Sequence, residues 1–312
     1  MDKNLIKIST VNMSREEWLE HRRNAIGGSD AAALVGMNPY QSPYSVWADK
    51  LGKLAPTPDN EAMKQGRDLE SYVAQRFTEK TGKKVQRENA IIYNPKYPFA
   101  HANIDRRLVG EDAILECKTC SALSMKKFKN GEYPSNYYTQ VVHYMAVTGA
   151  VKAYIAVVVL GKEFLVFEVE RDEDEIAALM KAEEEFWQLV KNQTPPAADG
   201  SEATTETIKT IYSESRDVEC SLFGFDPDIK QYLELGKRIK ELSELQNEYA
   251  NRIKSFMGEA SRGESQGYKV SWASGVRSTF DSKRFALEHP ELDLSGYYKN
   301  TSTRTFRITE KH

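Results

Sequence analysis

Cysteine is scarce in this 312-residue sequence, which has only Cys117, Cys120 and Cys220. Three thiols are too few, and odd in number, for a secreted disulfide framework, so reduced thiols are expected. Long apolar runs are missing too. The longest, AYIAVVVLG from Ala153 to Gly161, has the length of a buried strand and falls short of the eighteen or so residues that cross a bilayer. The opening MDKNLIKIST is charged and carries no signal-peptide core, so no membrane association and cytoplasmic residence are the expectations. With a net charge of −3, the surface as a whole does not advertise nucleic-acid binding. Any such function has to rest on local basic clusters, at Arg22 and Arg23, at Arg106 and Arg107, and at Lys126, Lys127 and Lys129. Taken alone, each reads as ordinary solvated surface.

The chain is long enough for one large domain plus an appendage, or for two modest domains. Ser14 followed by Glu17 reads as a capping box for a short helix carrying Trp18. The turn GGSD and two more short helices follow, at AAALVG and SVWADKLG. From Asn60 to Gly82, apolar residues at Met63, Leu69, Tyr72, Val73 and Phe77 keep close to a helical period, with Gly82 as C-cap. KVQRENAIIYN, FAHANIDRRLVG and AILECKT then read together as an antiparallel meander. SNYYTQVVHYMAVTG reads as a helix capped by Ser135 and ended by Gly149, and leads into the strands AYIAVVVL and EFLVFEVE. The amphipathic helix DEDEIAALMKAEEEFWQLVKN follows.

The stretch from Gln193 to Thr207 has the Pro, Ala and Thr content of a linker. It puts a boundary between a domain at 1–210 and a C-terminal module at 211–312. In that module a long amphipathic helix is expected over about 226–258, followed by short strands at YKVSWAS and TRTFRIT.

The chemistry concentrates in AILECKTC. Successive strand side chains point to opposite faces, so Ile114, Glu116 and Lys118 share one face while Leu115, Cys117 and Thr119 share the other. Cys117 and Cys120, three apart, then point apart. With no second CxxC, neither a structural zinc site nor a redox pair is supported. Two charged residues on an otherwise apolar strand cost several kcal/mol to bury unless paired or bound to metal. Asp105, on the preceding strand segment, reaches the same end of the sheet and adds a second hard oxygen donor. Glu70 in GRDLE reads either as a second-metal carboxylate or as a solvent-facing helix residue. Gln140 reads either as a core amide or as a group touching the reacting strand.

These motifs, in this order, resemble the phage exonuclease family of lambda exonuclease and the YqaJ viral recombinases, within the PD-(D/E)xK nucleases. WLEHRRNAIGGSDAAALVG resembles the family's opening, and the resemblance makes Arg22 and Ser29 the contacts to a DNA phosphate. GRDLE, NID, LECK and TQVVHYM resemble the motifs that supply Glu70, Asp105, Glu116 with Lys118, and Gln140. The resemblance implies a restriction-endonuclease-like α/β (α+β) core, a mixed central sheet flanked by helices. It implies two magnesium or manganese ions held by Asp105, Glu116, Glu70 and the backbone carbonyl of Cys117. It also implies 5′-to-3′ resection of linear duplex DNA in the cytoplasm of a bacterial host, leaving 3′ overhangs for a single-strand annealing protein of RecT or Redβ type. A ring-shaped homotrimer is part of the same implication. The alternatives are an endonuclease of the same superfamily, which would cut closed circles, and a non-catalytic DNA-end-binding scaffold.

Overall fold

A computed structural model describes residues 4–299 and 303–309. The chain divides into two compact units, Met1–Tyr212 and Ser213–His312.

In the first unit the elements run β1 (Ile6–Ser9), α1 (Arg15–Arg23), α2 (Gly28–Leu34), α3 (Pro43–Lys50), α4 (Glu61–Thr81), β2 (Val85–Arg87), β3 (Ala90–Tyr93), β4 (His101–Ala102), β5 (Arg106–Leu108), β6 (Ala113–Cys120), α5 (Ser135–Thr148), β7 (Lys152–Val159), β8 (Glu163–Glu170), α6 (Glu173–Lys191) and α7 (Glu202–Ile211). A five-stranded sheet in the order β2-β5-β6-β7-β8 forms the centre. Its β6–β7 pair is parallel and the others antiparallel. The parallel pair needs a long crossover, which α5 provides. This is the mixed sheet flanked by helices that the resemblance implies.

The two faces of β6 enter different cores. Ile114 and Cys120 pack with residues of α2, α3, α5 and α6, whereas Leu115 and Cys117 pack with Val73, Ala74 and Phe77 of α4. The two thiols are therefore on opposite sides of the sheet, and both are free.

Local signals set the helix ends. Ser14 and Glu17 exchange the capping-box hydrogen bonds before α1, and α4 runs from an Asn60 cap to Gly82 at φ 74°, a left-handed value that glycine adopts without strain. The Ser135 cap is corrected: Pro134 holds the N-cap and Ser135 lies inside α5, because a proline can occupy the helix start without losing a needed N–H.

The single meander is also corrected. β2, β5 and β6 do pair antiparallel, but β3 and β4 leave that sheet and join β1 in a separate three-stranded one. β1 itself went unread at the sequence level, its four residues being too short a pattern to score. The linker reading of 193–207 fails over its second half. Ser201 caps α7 by accepting from the Thr204 N–H, and Thr204 and Thr207 are buried, with the Thr204 hydroxyl donating to Ser42 Oγ at 2.8 Å. Threonine is common in linkers, but here its hydroxyl is satisfied inside the unit.

The second unit contains α8 (Asp226–Met257), a hairpin of β9 (Arg262–Glu264) and β10 (Lys269–Ser271), and α9 (Ser282–Glu288). TRTFRIT, expected as a strand, is irregular throughout its described length. Among the described residues no helix is long and apolar enough to cross a membrane.

Candidate active site

β6 and α5 bring three of the chemistry-bearing residues together. Glu116 is 4 % exposed although charged. Its Oε1 accepts from Lys118 Nζ at 2.6 Å and from Gln140 Nε2 at 2.8 Å. Gln140 Oε1 in turn accepts from Lys118 Nζ at 2.8 Å, so the three side chains close a ring of hydrogen bonds. The amide of Gln140 also reaches the Tyr144 hydroxyl at 3.0 Å, one helical turn on. Burial opposes the charge on Lys118, but the Glu116 carboxylate outweighs it and the ammonium pKa is raised. The Tyr137 ring lies 5.1 Å from that ammonium.

Asp105, just before β5, completes the cluster from the other side of β6. Its Oδ2 accepts from the Cys117 N–H at 2.7 Å. Burial, then the like charges of Glu116 and Glu70, push its carboxyl well above the usual range. Glu70 itself is paired with Arg106, whose Nη1 also donates to the Asp105 carbonyl at 2.7 Å. As the side chains stand, Glu70 is thus occupied by a cation of the protein's own.

The donor set suits a hard divalent cation. Glu116 Oε2 is buried with no hydrogen-bond partner, and two carboxylates with one aimed lone pair to spare form an acceptor-rich pocket. Within a strand residue the N–H and C=O point the same way across the sheet. The Cys117 N–H points to Asp105, so its carbonyl faces that side as well, beyond the last β5 partner at Leu115. Among the described residues no three acidic, His or Cys side chains group as a metal site. The ligands on offer are two carboxylates and one main-chain carbonyl. The Cys117 thiol takes no part: burial, then the charges of Asp105 and Glu116, push its pKa up.

Arg22 and Ser29 form a second cluster. Arg22 Nη2 donates to Ser29 Oγ at 3.2 Å and lies 3.5 Å from Asp30 Oδ1, while its guanidinium carbon is 5.1 Å from the Trp18 ring centroid. Trp18, the ring beside Arg22, lines one cleft together with Glu70, Arg87, Glu88, Asn103 and Asp105. Asp30 is held by Lys50 at 2.6 Å and by the Gly27 N–H at 3.0 Å.

The clusters touch through Tyr144. A Cβ on Gly28 would lie 2.5 Å from Tyr144 Cε1, so the first residue of α2 must be glycine for the tyrosine to keep its bond to Gln140. Gly28→Ala is therefore expected to cost about 1–3 kcal/mol and to lower any activity of the Glu116 cluster, read by thermal melting and by cleavage rate on one preparation. Sequence reading missed Tyr144, although its spacing of four from Gln140 was an available signal. It also missed Asp30, Lys50 and Arg106, whose pairing no local pattern announces.

Behind this cluster His101 is buried, and burial, then the nearby Lys50 charge, lower its pKa to about 3. Its neighbour His143 donates from Nε2 to the His101 carbonyl at 2.9 Å and meets Glu183 at 2.7 Å through Nδ1. Burial opposes charge on His143, but Glu183 prevails and its pKa is raised. The signs differ. His101 contributes stability that is lost as pH falls from about 6.5 towards about 3, whereas the His143 contribution is lost only as pH rises through its raised value. His101→Phe is expected to flatten acid destabilisation in the pH 3–6.5 window, where one such histidine accounts for up to about 1.4 kcal/mol per pH unit. Denaturant melts at stepped pH measure that slope, and an unchanged slope would clear His101.

A model of the YqaJ-like viral recombinase domain matches residues 17–151, the span that holds Arg22, Ser29, Glu70, Asp105, Glu116, Lys118 and Gln140. The uncharacterized protein YqaJ of Bacillus subtilis (strain 168) is 40 % identical over 304 residues, 96 % of this chain and 95 % of that one. The chain belongs to the YqaJ-like viral recombinase family. This YqaJ-family chain shares its second unit with that relative, since an alignment of such length leaves no room to omit it. The fold is shared with an alkaline exonuclease from Laribacter hongkongensis at a TM-score of 0.50 and 21 % identity, over 57 % of this chain and 94 % of that one.

Proposed function

We propose that this YqaJ-family protein is a metal-dependent deoxyribonuclease that resects linear duplex DNA from the 5′ end. The observation that carries the reading is the Glu116–Lys118–Gln140 ring facing Asp105, with Glu116 Oε2 unpartnered. Glu183 Oε2, paired through its other oxygen with His143, is also unpartnered; Glu116 differs in having a second carboxylate, Asp105, and the Lys118 ammonium beside it. Membership of a viral recombinase family supports it, as does the fold shared with the Laribacter alkaline exonuclease, which has also been crystallised in complex with dAMP.

Asp105, Glu116 and the Cys117 carbonyl would hold a divalent cation, magnesium or manganese. When bound, the cation supplies a nucleophilic hydroxide at neutral pH and offsets charge on the phosphate. Lys118, kept charged by Glu116, presents its ammonium to a phosphate oxygen as charge builds there. Gln140 fixes the ammonium by accepting from it, and Tyr144 fixes Gln140. Arg22 and Ser29 would hold a terminal 5′ phosphate by charge-assisted hydrogen bonds that set register without reading bases. Glu70 would serve a second cation once Arg106 released it. The 3′ overhang left behind is the substrate class of a RecT- or Redβ-type annealing protein.

The test is digestion of 5′-end-labelled linear duplex and of closed circular duplex, each with magnesium. Release of labelled mononucleotide from the linear DNA, with the circle intact, is expected. Nicked or linearised circles would instead show an endonuclease, and stable binding without products a scaffold.

A further inference from the structure

α8 is a 32-residue helix with no buried residue. Ile239, Leu242, Tyr249 and Ile253 are between 48 % and 64 % exposed, an apolar stripe that marks an interaction surface when left open on one chain. The tail covers little of it: Phe306 meets Tyr232 at a centroid distance of 5.7 Å, yet Tyr232 stays 56 % exposed.

The stripe has a period of 3.5 residues. Tyr232, Ile239, Gln246 and Ile253 recur every seven residues, and so do Leu235, Leu242, Tyr249 and Phe256, three further on. These are the a and d positions of successive heptads, and such a repeat winds helices about each other. One heptad, Ile239 with Leu242, carries isoleucine at a and leucine at d, the pairing that favours two parallel strands. Direction follows from Gln246. In a parallel, in-register pair its amide meets the same amide of the second copy, and the two can hydrogen-bond. In the antiparallel register that keeps the other layers, Gln246 faces Leu242 and loses that partner. The flanks permit this register, setting Arg238 opposite Ser243, Leu245 opposite Ala250 and Arg252 opposite Met257, with no like charges facing. Lys240 and Arg252 already pair within the helix, with Glu244 and Glu248.

We propose that α8 associates with α8 of a second copy of this chain as a parallel two-stranded coiled coil over Tyr232–Phe256. The pairing is independent of the nuclease reading and survives its failure.

Single cysteines placed in the full-length chain test it, in a Cys220→Ser background that removes the exposed native thiol. Leu242→Cys at a d position is expected to give a disulfide-linked dimer in high yield at dilute concentration. Glu244→Cys on the outer surface should stay unlinked. A mixture of Leu242→Cys and Gln246→Cys chains should give only the homotypic products. Predominantly mixed links would establish the antiparallel pair and overturn the proposal. No link at Leu242→Cys, or equal linking at Glu244→Cys, would overturn it as well. On the single chain Leu242 packs against nothing that its replacement would disturb, so the fold of one copy is kept and the linking pattern reports the pairing directly.

Discussion

Asp105→Asn is expected to lower DNA cleavage by at least on the order of a thousandfold, the scale for losing one electrostatic element of a reacting site, while leaving the melting temperature near that of the parent. The Cys117 N–H donates to Asp105 Oδ2, and the asparagine carbonyl oxygen can accept in its place. What disappears is the capacity to ionise for a cation. Burial, then the like charges of Glu116 and Glu70, already push the Asp105 carboxyl towards its neutral form, so the fold has nothing to lose from an amide there. Alanine is the poorer test, since it orphans the Cys117 N–H at a cost of about 1–3 kcal/mol. Initial rates on linear duplex, beside a thermal melt, separate the two effects. Near-parental cleavage by Asp105→Asn would remove Asp105 from the reacting site.

Asp30→Ala should have the largest effect on stability. The Lys50 side chain is 0 % exposed, and its ammonium is held by Asp30 Oδ2 and by the Arg22 carbonyl at 2.5 Å. Removing the carboxylate leaves a buried cation without its counter-ion, at about 3–5 kcal/mol. For a unit of this size that is a fall of roughly 6–20 °C in melting temperature. The double variant Asp30→Leu with Lys50→Met should recover much of the loss, because an apolar pair of similar volume often substitutes for a buried ion pair. Scanning calorimetry on the three proteins measures it, and a parental melt for Asp30→Ala would refute the account. Burial works against the Asp30 carboxylate, but Lys50 and Arg22 hold its pKa far below the usual carboxylate range. The pair's contribution is therefore present above about pH 3.9, the unfolded value, and is lost as pH falls below it.

The α4 helix was legible because its period, its Asn60 cap and its Gly82 stop all lie in adjacent residues. The facing of β6 was legible for a similar reason: strand alternation alone sends Ile114 and Cys120 to one core and Leu115 and Cys117 to the other. The separation of β3 and β4 from the central sheet was not. Which strand accepts which is decided by contacts between segments that carry no local mark of each other. Arg106 shows the same limit. Beside Arg107 it reads as a basic surface cluster, yet it is 5 % exposed and committed to Glu70. Lys50, within the short helix expected at SVWADKLG, is buried against Asp30, twenty residues before it.

Position 117 lies between the two charged residues of β6, and the fold uses it twice with no help from its side chain. The N–H anchors Asp105 and the carbonyl faces the same edge, while the thiol is spent on packing under α4. The main chain is common to every amino acid but proline. A substitution at 117 therefore probes the fit beneath Val73 and Phe77, whereas proline alone, by deleting the donor, would unhook Asp105. A position can thus be indispensable to a site while its one-letter code says nothing about why.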